Sequence, residues 1–400
     1  MNTDLYFSPD YMTARRRFRA AASRAGAHLH SLDWGLKGLS GESLTIDIAV
    51  LTAASAKLEG DAPAVVESGD AEMPEAIVAE RVLLHSSGVH GVEGFAGSAV
   101  QLRLLERPPE VPDGCAIVLV HIVNPYGMTF LRRVNENNVD LNRNFLGPEE
   151  SYDGQPDGYE ILDPLFNPNS PHHSWPRFFT LRLIAKLLVH GARRLRQAGA
   201  EGQYAKPHGL FFGGRQLERG PELYLQWLQR NLAAARRICG IDVHSGLGRS
   251  GDQLIILERN HGADYHRYLA DRYPQELDNT GDEPAIVYQV RGGIDAGVPR
   301  VFGSDAEVDF VTQEFGTVNG FRVLSTLSAE NRLDRFGNGR DLFHPIKRKM
   351  KQIFAPSEIE WKRSILEKGE RLVADTVEFL FRPDDRRPMT DDRRPMTDDR

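Results

Sequence analysis

Apolar positions along this chain form short runs separated by helical patterns. Leu44, Ile46, Ile48 and Val50 alternate with polar or small residues, the two-residue period of a strand with one face in solvent. Residues 82–85 and 115–123 are continuous apolar runs, as in strands covered on both faces. Between them, residues 93–107 carry a helical pattern. Strand, helix and strand in this order predict a right-handed crossover and a mainly parallel sheet. Two further strands are expected at 238–244 and 309–315.

Helices are expected at about 8–25, 175–199, 221–237, 321–335 and 357–382. The first opens with Ser8 and Pro9, and its arginine run reads as a solvated face. The last opens with Ser357 and Glu360, the spacing of a capping box. Its Ile359, Trp361, Ile365, Leu366, Leu372, Val373 and Val377 are expected to dock on the domain. Residues 53–73 read as a loop. Residues 126–174 have little regular pattern, and so long an irregular stretch in a compact domain is usually functional.

Composition narrows the picture. The chain has 400 residues, 40% of them hydrophobic and 26% charged, which describes a globular domain with a large core. A net charge of −7 without a basic stripe argues against a nucleic-acid partner. The N-terminus lacks an apolar signal region, and no apolar run approaches a membrane span, so the expectation is a cytoplasmic protein with no membrane partner. Cys115 and Cys239 read as buried thiols rather than a disulfide. Residues 1–382 could form one large α/β domain or two smaller ones. Residues 383–400 repeat a charged, proline-bearing unit and are expected to be a disordered tail. Nothing in the pattern specifies an oligomeric state.

The candidate chemistry begins in the break after residue 85, within VLLHSSGVHGVEG. His90 and Glu93 are three residues apart at a turn, so their side chains face the same way, with Cβ atoms about 5–6 Å apart. A dinucleotide-binding loop is the rival reading. The glycines at 88, 91 and 94 are spaced GxxGxxG rather than GxGxxG, and His90 and Glu93 fill the room a pyrophosphate needs.

His244 ends the strand in GIDVHSGLG. Two imidazoles and one carboxylate make a three-ligand set for one Zn²⁺, leaving a position for water. Glu314, in VTQEFGT, sits at another strand end where it can serve as general base. In LRRVNENNVDLNRNF, Asn142 and Arg143 can bind a carboxylate, and Arg132 or Arg133 can stabilise an oxyanion. Asp140 can hold the free ring nitrogen of His90. His121 reads as a strand histidine, and His172, His173, His208 and His261 as loop residues.

HGVE at 90–93, VDLNRNF at 139–145, IDVH at 241–244 and QEFGT at 313–317 follow one another as in the zinc carboxypeptidase family. The chain resembles most a bacterial branch of that family known chiefly as a domain of unknown function. GQYAKPHGLFFGG and LSAENRLDRFG extend the similarity over most of residues 5–380. The resemblance implies a single α/β domain with a mixed, mainly parallel sheet of about eight strands sandwiched by helices. It implies His90, Glu93 and His244 as ligands of one zinc ion and Glu314 as general base. Asn142 and Arg143 match the grip on a terminal carboxylate, and Arg133, with Arg132 competing, matches the oxyanion arginine. Tyr204 and Tyr288 are candidate substrate contacts.

Two departures bear on the substrate. Digestive members carry an aromatic residue two positions after the last zinc ligand, where this chain has Gly246. The short DLNRNF arrangement resembles the aspartoacylase and succinylglutamate desuccinylase relatives. The expected function is carboxypeptidase-like cleavage of a small peptide. The alternatives are deacylation of an N-acylamino acid and a zinc-binding protein of the same fold without turnover.

Overall fold

The computed structural model describes residues 3–53, 55, 66–67, 77–170, 178–257, 262–279 and 289–382. Tyr288, His172, His173, His261 and the tail at 383–400 lie outside these, as does nearly all of the loop at 53–73. Nine strands form one sheet: β1 (His28–Lys37), β2 (Ser43–Thr52), β3 (Val66–Glu67), β4 (Arg81–Ser87), β5 (Cys115–His121), β6 (Arg237–Leu247), β7 (Gln253–Leu257), β8 (Leu277–Asn279) and β9 (Glu307–Val318). Their order across the sheet is β3-β1-β2-β5-β4-β6-β9-β7-β8. The central strands β5, β4, β6 and β9 run parallel, while β2 and β7 flank them antiparallel. This is the mixed, mainly parallel sheet expected, and the ninth strand, β3, is only two residues long.

Helices cover both faces, and alternate residues of each central strand feed opposite cores. Val82 and Leu84 join one cluster with the helices Tyr159–Phe166, Arg219–Asn231 and Pro345–Phe354. Leu83 joins the other, with the helices Gly94–Glu106, Ala263–Arg272 and Ile359–Leu380. Burial of both faces accounts for the continuous apolar runs of β4 and β5.

Several expectations are corrected. β2 is not half-exposed: every residue from Leu44 to Leu51 is buried. Its polar positions face a buried network, in which Asp47 accepts from Arg15 Nε at 2.8 Å and Arg19 Nη1 at 3.1 Å. Arg15 and Arg19 of the first helix therefore pair inward, while Arg16 and Arg24 keep to the solvated face expected. That helix is Tyr11–Arg24, capped by Asp10 rather than opened at Ser8. β1 has no counterpart in the sequence reading, because its outward positions blur the alternation. The expected helix at 175–199 is two helices, Phe179–His190 and Ala192–Ala200, broken at Gly191, where φ is +91°.

The C-terminal helix starts at Ile359 with Glu358 as a cap that makes no side-chain bond, so no capping box forms at Ser357. Trp361, Ile365, Leu366, Leu372 and Val373 dock as expected, whereas Ile359 stays exposed. The stretch 126–174 holds the short helices Pro125–Thr129, Leu141–Arg143 and Tyr159–Phe166. Cys115 and Cys239 are buried free thiols.

Candidate metal centre

In an open parallel sheet the carboxyl ends of adjacent strands form a crevice. β4 runs out at Ser87 into a turn that requires glycine. Gly88 has φ of +71°, and a side chain there would press on Ile122. A Cβ on Gly91 would lie 2.2 Å from the backbone of Gly127 and Met128. Gly91 N–H donates to the Arg133 carbonyl at 3.2 Å and Val92 N–H to that of Arg132 at 2.8 Å. The turn is thereby bound to the loop that carries both arginines.

On this turn His90 and Glu93 point inward, 2% exposed each, and meet His244 at the end of β6. One ligand atom from each of the three lies within 4.8 Å of the others. His90 Nδ1 and His244 Nδ1 are 3.1 Å apart, with Glu93 Oε1 3.1 Å from the first and Oε2 3.1 Å from the second. Ser245 N–H also donates to Glu93 Oε2 at 3.1 Å, tying the carboxylate to β6.

The opposite nitrogens are held by acids. His90 Nε2 lies 2.9 Å from Asp140 Oδ1 and His244 Nε2 lies 2.8 Å from Asp242 Oδ2, the latter off the axis of a good hydrogen bond. Asp242 is itself fixed by Ser86 Oγ, which donates at 2.6 Å. Two imidazoles whose far nitrogens rest on carboxylates, with their near nitrogens converging beside a third acid, fit a Zn²⁺ site with one open position.

Electrostatics follow from the packing. Burial raises the Glu93 carboxyl, but the charges of His90 and Arg133 outweigh it and hold the group below the usual carboxylate range. Asp140 behaves likewise: burial opposes ionisation, and Arg143, Arg133 and His90 together overcome it. Burial disfavours the charged form of His244, yet Asp242 and Glu93 raise it well above an ordinary histidine. Glu314 is different. Burial, then the charge of Glu93, push its carboxyl up to about 7.

Glu314 stands beside His244 because β6 and β9 are parallel and the two residues are register partners. Its Oε1 accepts from Leu247 N–H at 2.9 Å. Arg133 donates through Nη1 to Glu93 at 2.7 Å and through Nε to Asp140 at 3.1 Å, which places it at the cluster. Arg132 is turned away. It is buried in a separate ionic group with Glu330 at 3.1 Å and Asp334 at 2.7 Å, and Lys347 also binds Glu330.

The guanidinium of Arg143 lies 3.5 Å from Asp140 and donates to the Ala200 carbonyl through Nε and Nη2, at 3.2 and 2.6 Å. Asn142 Oδ1 accepts from Ile294 N–H at 2.9 Å. Tyr204 gives its hydroxyl to the carbonyls of Arg143 and Arg291, at 2.7 and 3.2 Å. The polar atoms of Arg132 and Tyr204 are thus engaged within the protein rather than offered to a ligand, contrary to the sequence expectation. Beside Gly246, where the aromatic residue was missed, the ring of Phe354 takes the space, 3.0 Å from where a Cβ would lie.

Sequence reasoning also missed Asp242. The signal was present, since a residue two before His244 on a strand shares its face.

The model of the family described as "Protein of unknown function (DUF2817)" matches residues 7–59 and 70–368. The chain belongs to this family. The match agrees with the resemblance, read from the motifs, to a branch known as a domain of unknown function. No curated protein matches the DUF2817 chain. Among solved structures it is similar to carboxypeptidase A from Helicoverpa armigera, at 12% identity over 90% of this chain and 74% of that one, with a TM-score of 0.42. It is also similar to murein-tripeptide amidase from Escherichia coli O157, at 18% identity over 82% and 97%, with a TM-score of 0.37. A succinylglutamate desuccinylase from Silicibacter sp. TM1040 shares 13% identity over 78% and 67%, with a TM-score of 0.34. At these identities no activity passes from them to this chain.

Proposed function

We propose that this protein is a zinc-dependent hydrolase that cleaves an amide bond beside a terminal carboxylate. One observation carries the reading: His90, Glu93 and His244 offer ligand atoms within 4.8 Å of one another, and the partner of His244 across the sheet is a half-buried carboxylate, Glu314. A bound Zn²⁺ supplies Lewis acidity there, which lowers the pKa of water and polarises a carbonyl.

The remaining steps belong to the side chains. With Oε1 held by the Leu247 amide, Glu314 has Oε2 to take a proton from the attacking water and deliver it to the leaving amine. Arg133 keeps Nη2 for the oxyanion that forms as water adds to the carbonyl, while Nε and Nη1 hold Asp140 and Glu93. Asn142 and Arg143 receive the substrate carboxylate. For Arg143 this exchanges the Ala200 carbonyl for a charged, bidentate acceptor, a stronger partner.

The substrate is either a small peptide or an N-acylamino acid. Gly246, with Phe354 filling the space beside it, favours testing the second as fully as the first. The purified protein is analysed for zinc and assayed on both classes. One zinc per chain with hydrolysis of either class supports the reading. Refusal of both by zinc-loaded protein reduces it to a binding protein.

A further inference from the structure

The helix Phe179–His190 packs on the domain by one side only. Phe179 and Leu183 are buried, and the Phe179 ring stacks 6.5 Å from that of Phe166. The outward side carries Leu181 at 61% exposure, Ile184 at 37%, Leu188 at 81% and Val189 at 75%, and Phe178 just before it is 65% exposed. Residues 181, 184 and 188 fall on one helical face. No other helix among the described residues gathers as many exposed large apolar side chains, and a patch of this kind marks an interaction surface.

The charge of the same segment points to its partner. From Phe178 to Ala200 the chain has five basic residues, Arg182, Lys186, Arg193, Arg194 and Arg196, and no acid, within a protein of net charge −7. Of these, Arg194 is paired with Asp157, so the charge on the exposed face rests on Arg182 and Lys186, and the neighbouring Glu160 and Asp163 bind Lys206. Docking against a second copy through a two-fold axis would set this basic patch against itself, with like charges opposed. An anionic lipid surface complements both its apolar face and its charge. Twelve residues make a helix about 18 Å long, short of the roughly 30 Å of a bilayer core. No helix of the described residues is long and apolar enough to cross a membrane.

We propose that this helix docks the protein reversibly on an anionic phospholipid surface. Phe178, Leu181, Ile184, Leu188 and Val189 enter the headgroup boundary, while Arg182 and Lys186 meet lipid phosphates. The whole-chain charge, which argues against such a partner, conceals this local reversal of sign.

The test is cosedimentation of the full-length protein with vesicles of phosphatidylglycerol and phosphatidylcholine, compared with phosphatidylcholine alone. The protein should bind the mixed vesicles, lose binding as ionic strength rises, and ignore the neutral ones. Leu188→Ser with Val189→Ser, and separately Arg182→Glu with Lys186→Glu, should each weaken binding about tenfold or more. Circular dichroism and zinc content should stay unchanged. The proposal is overturned if the parent protein does not bind mixed vesicles or if the serine variant binds them equally well. A concentration-dependent dimer in sedimentation velocity that the serine variant abolishes would also overturn it, by assigning the face to a second copy.

Discussion

His244 and Glu314 are register partners on the parallel strands β6 and β9, so a buried imidazole and a half-buried carboxylate lie one strand spacing apart. The strands fix this relationship rather than a loop, and it separates two roles. Glu314→Gln should keep the zinc bound, because the proposed ligands are His90, Glu93 and His244, but should lower kcat by about 10³-fold. Zinc analysis beside a hydrolysis assay checks this. Unchanged turnover with full zinc occupancy would remove Glu314 from proton transfer.

Asp242 supports His244 from behind at 2.8 Å, as Asp140 supports His90 at 2.9 Å. Asp242→Asn should weaken zinc affinity by about 10- to 100-fold and leave the circular dichroism spectrum intact. Competition against a chelator measures the affinity directly, without any assay of turnover.

The adjacent arginines should respond differently. Arg132 is 1% exposed and locked to Glu330 and Asp334, so Arg132→Met leaves the buried Glu330 with Lys347 as its one remaining cation and should cost about 1–3 kcal/mol of stability in urea unfolding. Zinc content per folded molecule should not change. Arg133→Lys retains a charge beside Glu93 and Asp140 but loses the planar fork, and should lower kcat/KM by about 10²-fold.

Stability should fall with acid through two histidines remote from the metal ligands. His85 on β4 and His121 on β5 are fully buried, and burial lowers each to about 4 from an ordinary 6.5. The unfolded chain therefore binds more protons than the folded one between those values. Stability should be undiminished above pH 6.5 and decline toward pH 4, by about 2 kcal/mol per histidine at pH 5. Urea midpoints measured from pH 7.5 to 5 test the slope, and His121→Gln should flatten it.

β4 and β5 were legible because they are covered on both faces and read as apolar runs. His90, Glu93 and His244 were legible for a related reason: a polar side chain at the end of such a run has few uses but chemistry. β2 misled because Asp47 looks like a solvent-facing residue until Arg15 and Arg19 reach it from another element. Arg132 and Arg133 could not be distinguished in sequence. Which of two neighbouring residues faces the cluster depends on the loop turning at Leu131, where φ is +51°. Tyr204 failed similarly, since its hydroxyl is claimed by carbonyls that become neighbours only after folding.

The carboxylate of Glu93 touches His244 across 151 positions of chain, and Glu314 arrives later still, from the far side of β6. A polypeptide emerging from the ribosome therefore carries the first two donors long before the third exists, and the proton acceptor comes last of all. On the proposed mechanism, hydrolysis waits until β9 has been made and has paired.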